Sequence, residues 1–197
     1  MTIGTDFLTP TTELQAVNVL LSVIGESPIS SVDELTTADA ATAQSILHQV
    51  SRSTQARGWH FNTEENYPLS PDASGEIKLP ANTLRVDTDA DDVGEDVAHR
   101  GIRLYDRKNH TYKFTRSLRL TLIVALPFEE LPEAARNYIT IRAARIFQDR
   151  VLGSDALHAF NEDDEKTAHA LLVEAEGDNA DYNILTGNID VARVIMG

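Results

Sequence analysis

Three groups of side chains have the types and spacing that could do chemistry. The first is an acidic loop. Asp87, Asp89, Asp91, Asp92, Glu95 and Asp96 crowd six carboxylates into ten residues around Gly94. Clustered carboxylates are what a hard cation such as calcium requires. The EF-hand frame nevertheless fails. Counted from Asp87, position six is Asp92 in place of glycine and position twelve is Ala98. Counted from Asp89, position six is Gly94, but position five is Val93 and position twelve is Arg100. A solvated loop is therefore the expected reading. The second group pairs His158 with Glu162 and Glu165 with His169 at i, i+4 spacing, which brings two ligands together but supplies no third. His48, His60, His99 and His110 are scattered. The third group, Glu64-Glu65 and Glu129-Glu130, offers carboxylates of the kind used in glycoside hydrolysis, but outside any recognisable catalytic context. The chain has no cysteine, which removes thiolate metal sites, iron–sulfur clusters, disulfides and cysteine nucleophiles. No nucleotide-binding glycine loop, serine-hydrolase elbow or zinc-protease motif occurs. The expectation is a protein that is not an enzyme and holds no cofactor or metal.

Charge is the next signal. The chain of 197 residues carries 17 basic and 31 acidic side chains, a formal charge of −14. The imbalance is uneven. Residues 1–99 hold 4 basic and 16 acidic side chains, residues 100–119 hold 7 and 1, and residues 153–197 hold 2 and 10. Binding to duplex DNA rests on cations that displace counterions from phosphates, so most of this surface is unsuited to it. The run Glu162, Asp163, Asp164 and Glu165 reads either as a solvated helix face or as an acidic surface of an oligomer. The basic strip of Arg100, Arg103, Arg107, Lys108, Lys113, Arg116 and Arg119 suits a subunit contact. A positive patch beside negative regions of the same molecule favours head-to-tail association in a ring.

The elements that must position these groups follow from periodicity. Leu14, Val17, Leu20, Leu21 and Ile24 make one apolar face of a helix over about 12–24, with Thr12 and Gln15 as a capping box and Gly25 as its stop. A second helix over about 38–57 carries Ala43, Ile46, Leu47 and Val50, with Thr36 or Thr37 as cap and Gly58 after its last turn. Trp59 and Phe61 follow and alternate to one side if the chain is extended, where both would plug the end of the helix pair. From about 67 to 126 the period is two. Strands are expected at 76–79, 84–87, 101–105, 111–114 and 118–126, the 101–105 and 111–114 pair forming a hairpin around Asp106 to His110. In the last strand Leu118, Leu120, Leu122 and Val124 point one way, and Arg119 and Thr121 the other. Pro132 opens a third helix with Ala135, Ile139, Ala143, Ile146, Phe147 and Val151 on its face, ended by Gly153. A fourth helix runs over about 154–176 with Leu157, Phe160, Ala168, Leu171 and Ala175 inward, and Gly177 breaks or ends it. The fold class expected is α+β, mainly α: a split four-helix bundle with a β-rich insertion between two helical hairpins. The whole is one domain over 1–197, divided into a hairpin at 1–64, the insertion at 65–128, a second hairpin at 129–187 and a tail at 188–197. An apolar content of 42 % is enough for a core. No apolar run is long enough to span a membrane and no signal peptide is visible, so synthesis and folding in a cytoplasm are expected.

A set of short motifs identifies a resemblance. Ala16-Val17-Asn18, Leu21, Ile24-Gly25-Glu26 and Pro28-Ile29-Ser30 come first. Ala38-Asp39-Ala40-Ala41, Ala43 and Ile46-Leu47 follow, then Arg57-Gly58-Trp59, Phe61-Asn62 and Glu64. Tyr105-Asp106-Arg107, Pro132-Glu133, Ala144-Arg145, Phe147, Tyr182-Asn183, Leu185 and Gly187 complete it. In this order they resemble the tail tubular protein A family, the head-to-tail adaptors (connectors) of short-tailed phages (podoviruses). Residues of about 68–100 match poorly. The resemblance implies a structural virion protein made in the host cytoplasm. It implies a ring of 12 copies that joins the portal to the tail nozzle, tail tubular protein B, with tail fibres at the junction and double-stranded DNA passing through without sequence-specific binding. It gives Gly25, Glu26, Pro28, Arg57, Gly58, Trp59, Phe61, Asn62, Tyr182 and Asn183 a structural role, and makes Glu162 to Glu165 candidates for the channel or portal-facing surface. Two other classes fit the composition: a tail-associated peptidoglycan or polysaccharide hydrolase, and an acidic DNA-mimic inhibitor.

Overall fold

The computed structural model describes residues 9–33, 35, 37–89, 94–151, 153 and 163–178. Among them the chain is mixed α/β, with four helices and two small antiparallel sheets. It divides into two units, Met1–Ser51 with Pro127–Gly197, and Arg52–Leu126.

The first unit is helical. Helix α1 (Glu13–Ser22) starts in the capping box: Thr12 Oγ1 accepts from Gln15 N, and the Gln15 side chain accepts from Thr12 N. Gly25, at φ +82°, ends the turn that follows, a conformation a β-carbon opposes. Asn18 then fixes the outgoing chain, donating to Ile29 O and accepting from Ile29 N at 3.0 and 2.8 Å. Helix α2 (Ala38–Gln55) is capped by Thr37, whose hydroxyl accepts from Ala40 N. Helix α3 (Glu133–Val151) runs parallel to α1. Glu133 accepts from Thr11 N and Oγ1 at one end, and Gln148 donates to Val23 O at the other. Helix α4 (residues 163–178) lies antiparallel to α3, with Glu165 against Arg142 and Arg145 and His169 against Tyr138. Ala16, Val17, Leu20, Leu21, Leu47, Ala135, Ile139, Ala143, Phe147, Ala168 and Leu172 are buried in this unit.

Several expectations about these helices need correction. Leu171 is 51 % exposed and Leu172 is buried in its place, so the inward face of α4 is turned by one residue. Val151 is 45 % exposed. Gly177 does not break α4, which continues to residue 178. Leu157 and Phe160 lie outside the described residues.

The second unit is built on strand β5 (Leu118–Val124), which sits between β1 (Thr63–Leu69) and β2 (Thr83–Thr88), antiparallel to both. Leu118, Leu120, Leu122 and Val124 join Ile77, Leu79, Leu104 and Phe114 in one core cluster. Ile123 is buried on the opposite face, so β5 is covered on both sides along its second half. Strands β3 (Val97–Arg100) and β4 (Arg103–Asp106) form a separate hairpin with Arg100 opposite Arg103. The expected strand at 76–79 is reduced to two single bridges, Glu76 with Lys113 and Lys78 with Arg103. The expected pairing of 101–105 with 111–114 is likewise one bridge, Asp106 with Thr111, because β4 pairs with β3 instead. Strand β1 was not anticipated. Its burial is nearly all exposed, it contains a positive-φ residue, Asn66, and it accommodates Pro68 because it is an edge strand.

Candidate functional site

The strip of basic side chains lies in the second unit, and most of its charges have partners in the structure. Arg107 Nη1 is 3.1 Å from Asp96 Oδ1, and Arg116 Nη2 is 3.3 Å from Glu95 Oε1. Lys108 Nζ donates weakly to Gly94 O at 3.5 Å, and Lys113 Nζ donates to Ser74 O. Two acids of the loop, Glu95 and Asp96, thus supply counter-charges to the basic strip. Asp89 adds a further internal contact by accepting from Asn66 N at 2.9 Å. Asp91 and Asp92 lie outside the described residues. No group of acids or histidines able to hold a metal ion occurs among the described residues.

Arg100 and Arg103 meet aromatic rings. The Arg100 guanidinium lies 3.6 Å from the Tyr105 ring centre, and that of Arg103 lies 4.2 Å from the Tyr112 ring. The two rings meet edge to face at 4.9 Å. Arg103 Nη1 also pairs with Glu76 at 3.1 Å. Arg119 is exposed on β5. Beside this strip is a cleft of about 280 Å³ lined by Glu95, Asp106, Asn109, Lys113, Phe114 and Arg116 among others. Asp106 is buried in its wall. The backbone and side-chain N–H groups of Asn109, at 2.9 and 2.7 Å, hold its carboxyl below the usual carboxylate range. Asp72, in the neighbouring turn, is held well below that range by the Ser74 hydroxyl and by the Glu76 and Ser74 backbone N–H groups.

The Arg57 to Asn62 motif forms a polar junction in the same unit. Gly58 sits at φ +80°, and a β-carbon there would lie 2.5 Å from Ile123 Cδ1. Trp59 Nε1 donates to Thr54 O at 2.7 Å, and Trp59 N donates to Asn62 Oδ1 at 2.9 Å. Asn62 is buried and donates from Nδ2 to Gln55 O and Val124 O, at 3.0 and 2.8 Å. Gln55, also buried, donates to Leu126 O and accepts from Leu126 N. One face of a side-chain amide therefore joins the end of α2 to the end of β5. Trp59 and Phe61 lie to one side, as their alternation predicts, and Trp59 meets the end of α2 through Thr54 O. Both are only half-buried, their rings lie parallel at 6.4 Å, and Arg57 lies 5.6 Å from the Trp59 ring.

The acidic run on α4 is also revised. Asp163 and Asp164 are exposed, but Glu165 is buried. Its two oxygens meet Arg142 Nη1 at 2.6 Å and Arg145 Nε at 2.5 Å. Glu165 is thus neutralised within its own unit and is no part of an open acidic face. It points at arginines and His169 packs on the Tyr138 ring, so the two form no metal pair. Glu162, His158, Tyr182 and Asn183 lie outside the described residues. Gly25 and Pro28 flank the loop that Asn18 holds, and Glu26 N donates to Leu21 O in closing α1.

Two structural residues were missed from sequence. Gln55 is one. Arg136 is the other: buried in α3, it donates from Nε to Leu131 O at 2.7 Å, from Nη1 to Thr11 O at 2.8 Å, and from Nη2 to Glu129 O. A charged residue on an otherwise apolar helix face was its only sequence signal.

Comparison with known proteins gives this arrangement its setting. A family model described as tail tubular protein matches residues 14–182. A curated relative, tail tubular protein A of Klebsiella phage KP34, is 32 % identical over 151 residues, covering 75 % of this chain and 77 % of the relative. The matched span contains the helical unit's described residues from 14 onward and the whole Arg57 to Asn62 junction. No helix among the described residues is long and apolar enough to cross a membrane. The chain belongs to the tail tubular protein family, structural components of the bacteriophage tail.

Proposed function

We propose that this chain is the adaptor of a short phage tail: a ring of 12 copies that joins the portal to the nozzle protein and continues the DNA channel. The observation that carries the reading is the family match along most of the chain. The architecture supports it. The α1/α3 and α3/α4 packing suits a split four-helix bundle, with the β-rich segment inserted between its halves. Four of the acids that the sequence offered for chemistry, Glu95, Asp96, Glu129 and Glu165, are engaged in internal ion pairs or accept from a helix N-terminus, as Glu129 does from Glu13 N.

Charge suggests how the channel works. Duplex DNA carries one charge per roughly 1.7 Å of axis, and a wall of like charge repels it over a range of roughly 8 Å at physiological salt. A bore lined by acids passes DNA without wells that stall it. Asp163 and Asp164, exposed at the start of α4, are the members of the acidic run available for this or for the portal-facing surface. The positive charge of Arg100 to Arg119 serves contacts between subunits. The test is a phage with the gene deleted. Capsids that package DNA but neither join a tail nor retain the genome support the adaptor role, and tailed, infectious particles overturn it. Negative-stain images of the purified protein mixed with portal show rings on the portal under this reading. The hydrolase alternative requires turnover of peptidoglycan or polysaccharide by the purified protein.

A further inference from the structure

The two most exposed large apolar side chains among the described residues are Ile102, 57 % exposed, and Leu171, 51 % exposed. They belong to different units, and each is set in charge of one sign. Ile102 occupies the two-residue tip of the β3–β4 hairpin, after Gly101 at φ +64° and between Arg100 and Arg103. The tip is rigid. Ile102 O accepts from Leu79 N at 2.9 Å, and Leu104 N donates to Ile77 O at 3.0 Å, which ties both sides of the tip to the 77–79 segment. The flanking arginines are pre-positioned by the Tyr105 and Tyr112 rings under their guanidinium planes. Stacking of this kind occupies the face of a guanidinium and leaves its edge for carboxylates; Arg103 already gives Nη1 to Glu76 of its own chain, which leaves its other edge donors for a partner. Among the described residues no carboxylate pairs with Arg100.

Leu171 sits in the opposite setting. At helical spacing, Thr167, Leu171, Glu174 and Asp178 form one outward stripe of α4, and all four are exposed. A single leucine there is bracketed on its C-terminal side by two carboxylates one turn apart. The hairpin tip presents one isoleucine bracketed by two guanidinium groups. Arginine, tyrosine and a central apolar anchor are the composition of an interface centre. The patches differ from each other and complement each other, so each copy offers one of each. Such a contact is heterologous and propagates head to tail, closing into a ring when the rotation permits.

We infer that the β3–β4 tip of one copy docks on the Thr167–Leu171–Glu174–Asp178 stripe of a second copy, Ile102 against Leu171 and Arg100 and Arg103 against Glu174 and Asp178. This contact rests on the ring reading above and names its surfaces. The chain has no native cysteine, so introduced thiols report without background. Phage particles carrying both Ile102→Cys and Leu171→Cys are oxidised and run without reductant. A ladder of dimers, trimers and larger species, absent from either single variant and erased by reductant, supports the contact. A general amine–carboxylate cross-linker applied to wild-type particles reads the ring independently. A ladder with that reagent but none through the cysteines overturns this contact and leaves the ring standing. No ladder with either reagent overturns both. A second pair of variants checks the charges. Arg100→Glu with Arg103→Glu lowers the yield of tailed particles at least tenfold, and adding Glu174→Arg with Asp178→Arg restores it. Failure of the restored set to exceed the first set overturns the pairing, provided that the circular dichroism of both proteins matches wild type.

Discussion

The helical unit and the β-rich unit solve stability in different ways. In the first, stripes of Ala, Leu, Ile and Phe at helical spacing meet each other, and buried charged groups are satisfied at the edges of that packing, Arg136 by backbone carbonyls before α1 and α3 and Glu165 by Arg142 and Arg145. In the second, strands are short and largely exposed on one face, and the core of eight buried side chains is supplemented by a buried amide junction through Gln55 and Asn62. The lesson is about what each tolerates. Apolar packing loses stability in proportion to the volume removed. A polar junction loses it in steps, because each abandoned carbonyl or N–H must find a new partner.

That contrast is broken or sharpened by substitution. The largest effect is expected at Phe147, which is fully buried in the helical unit. Phe147→Ala should cost roughly 3–5 kcal/mol, as truncation of a core aromatic does. Phe147→Leu should recover most of it, since volume and not polarity is at stake. Thermal denaturation followed by circular dichroism measures both, and a loss under 1 kcal/mol for the alanine variant would show that the helices repack freely. Asn62→Ala comes next. It takes the side-chain donor from Val124 O and the acceptor from Trp59 N, while Gln55 O keeps its bond from Gly58 N, so the cost should be roughly 1–3 kcal/mol. Here the shape-matched Asn62→Leu should not rescue. If leucine does rescue, the junction is held by packing and the contrast between the units fails.

The same contrast explains what was legible beforehand. The Thr12–Gln15 capping box, the glycines after the helices and the buried face of α3 are local features, written within one or two turns of sequence. Helix α4 defeats a local reading because Leu171, Leu172 and Val173 are consecutive and any of them could point inward. The choice is made by Glu165 meeting two arginines of α3, some twenty residues away. Strand β1 was hidden because Thr63, Glu64, Glu65, Asn66 and Pro68 lack alternation, and β3 because it has Val97 and Ala98 alone as apolar residues. Both owe their existence to a neighbour, β5 for one and β4 for the other. At the candidate site, the acidic loop and the basic strip were each visible as charge, but their pairing through Arg107 with Asp96 and Arg116 with Glu95 is a tertiary fact. The arginine–tyrosine stacking at the hairpin, likewise, follows from register and not from spacing in the chain.

Two glycines give a finer test. Gly25 in the first unit and Gly58 in the second both have positive φ, which costs a β-carbon-bearing residue roughly 1 kcal/mol. They differ in surroundings. A β-carbon at Gly25 meets nothing within 4 Å, whereas at Gly58 it meets Ile123 Cδ1 at 2.5 Å. Gly25→Ala should therefore cost about 1 kcal/mol and no more. Gly58→Ala should cost about 2 kcal/mol, the excess coming from displacement of the Ile123 side chain. Shortening that side chain separates the two contributions. In an Ile123→Val background the added cost of Gly58→Ala should fall toward that of Gly25→Ala. Equal costs at the two glycines in the wild-type background would mean that Ile123 swings aside without penalty.

The smallest effect belongs to Asp106, and it distinguishes the units by pH. Its carboxyl is held below the ordinary range by the backbone and side-chain N–H groups of Asn109. A carboxylate with a depressed native pKa adds stability above its unfolded value, near 3.9, and that stability is lost as pH falls through the native value. Asp106→Asn keeps the shape but loses one charge-assisted acceptor, so it should cost about 1 kcal/mol near neutrality. The difference between wild type and variant should hold steady from pH 7 to about 5, then shrink below about 4 as protonation removes the wild-type advantage. Hydrogen exchange at the Asn109 amide reads this turn directly. The exchange should quicken on acidification relative to the intrinsic rate in the wild type and stay flat in Asp106→Asn, while amides in the middle of α3 show no difference between the two proteins. A variant whose deficit persists unchanged to pH 3 would mean that the turn is held by the Asp106–Thr111 backbone pair, at 2.8 and 3.2 Å, and not by the charge.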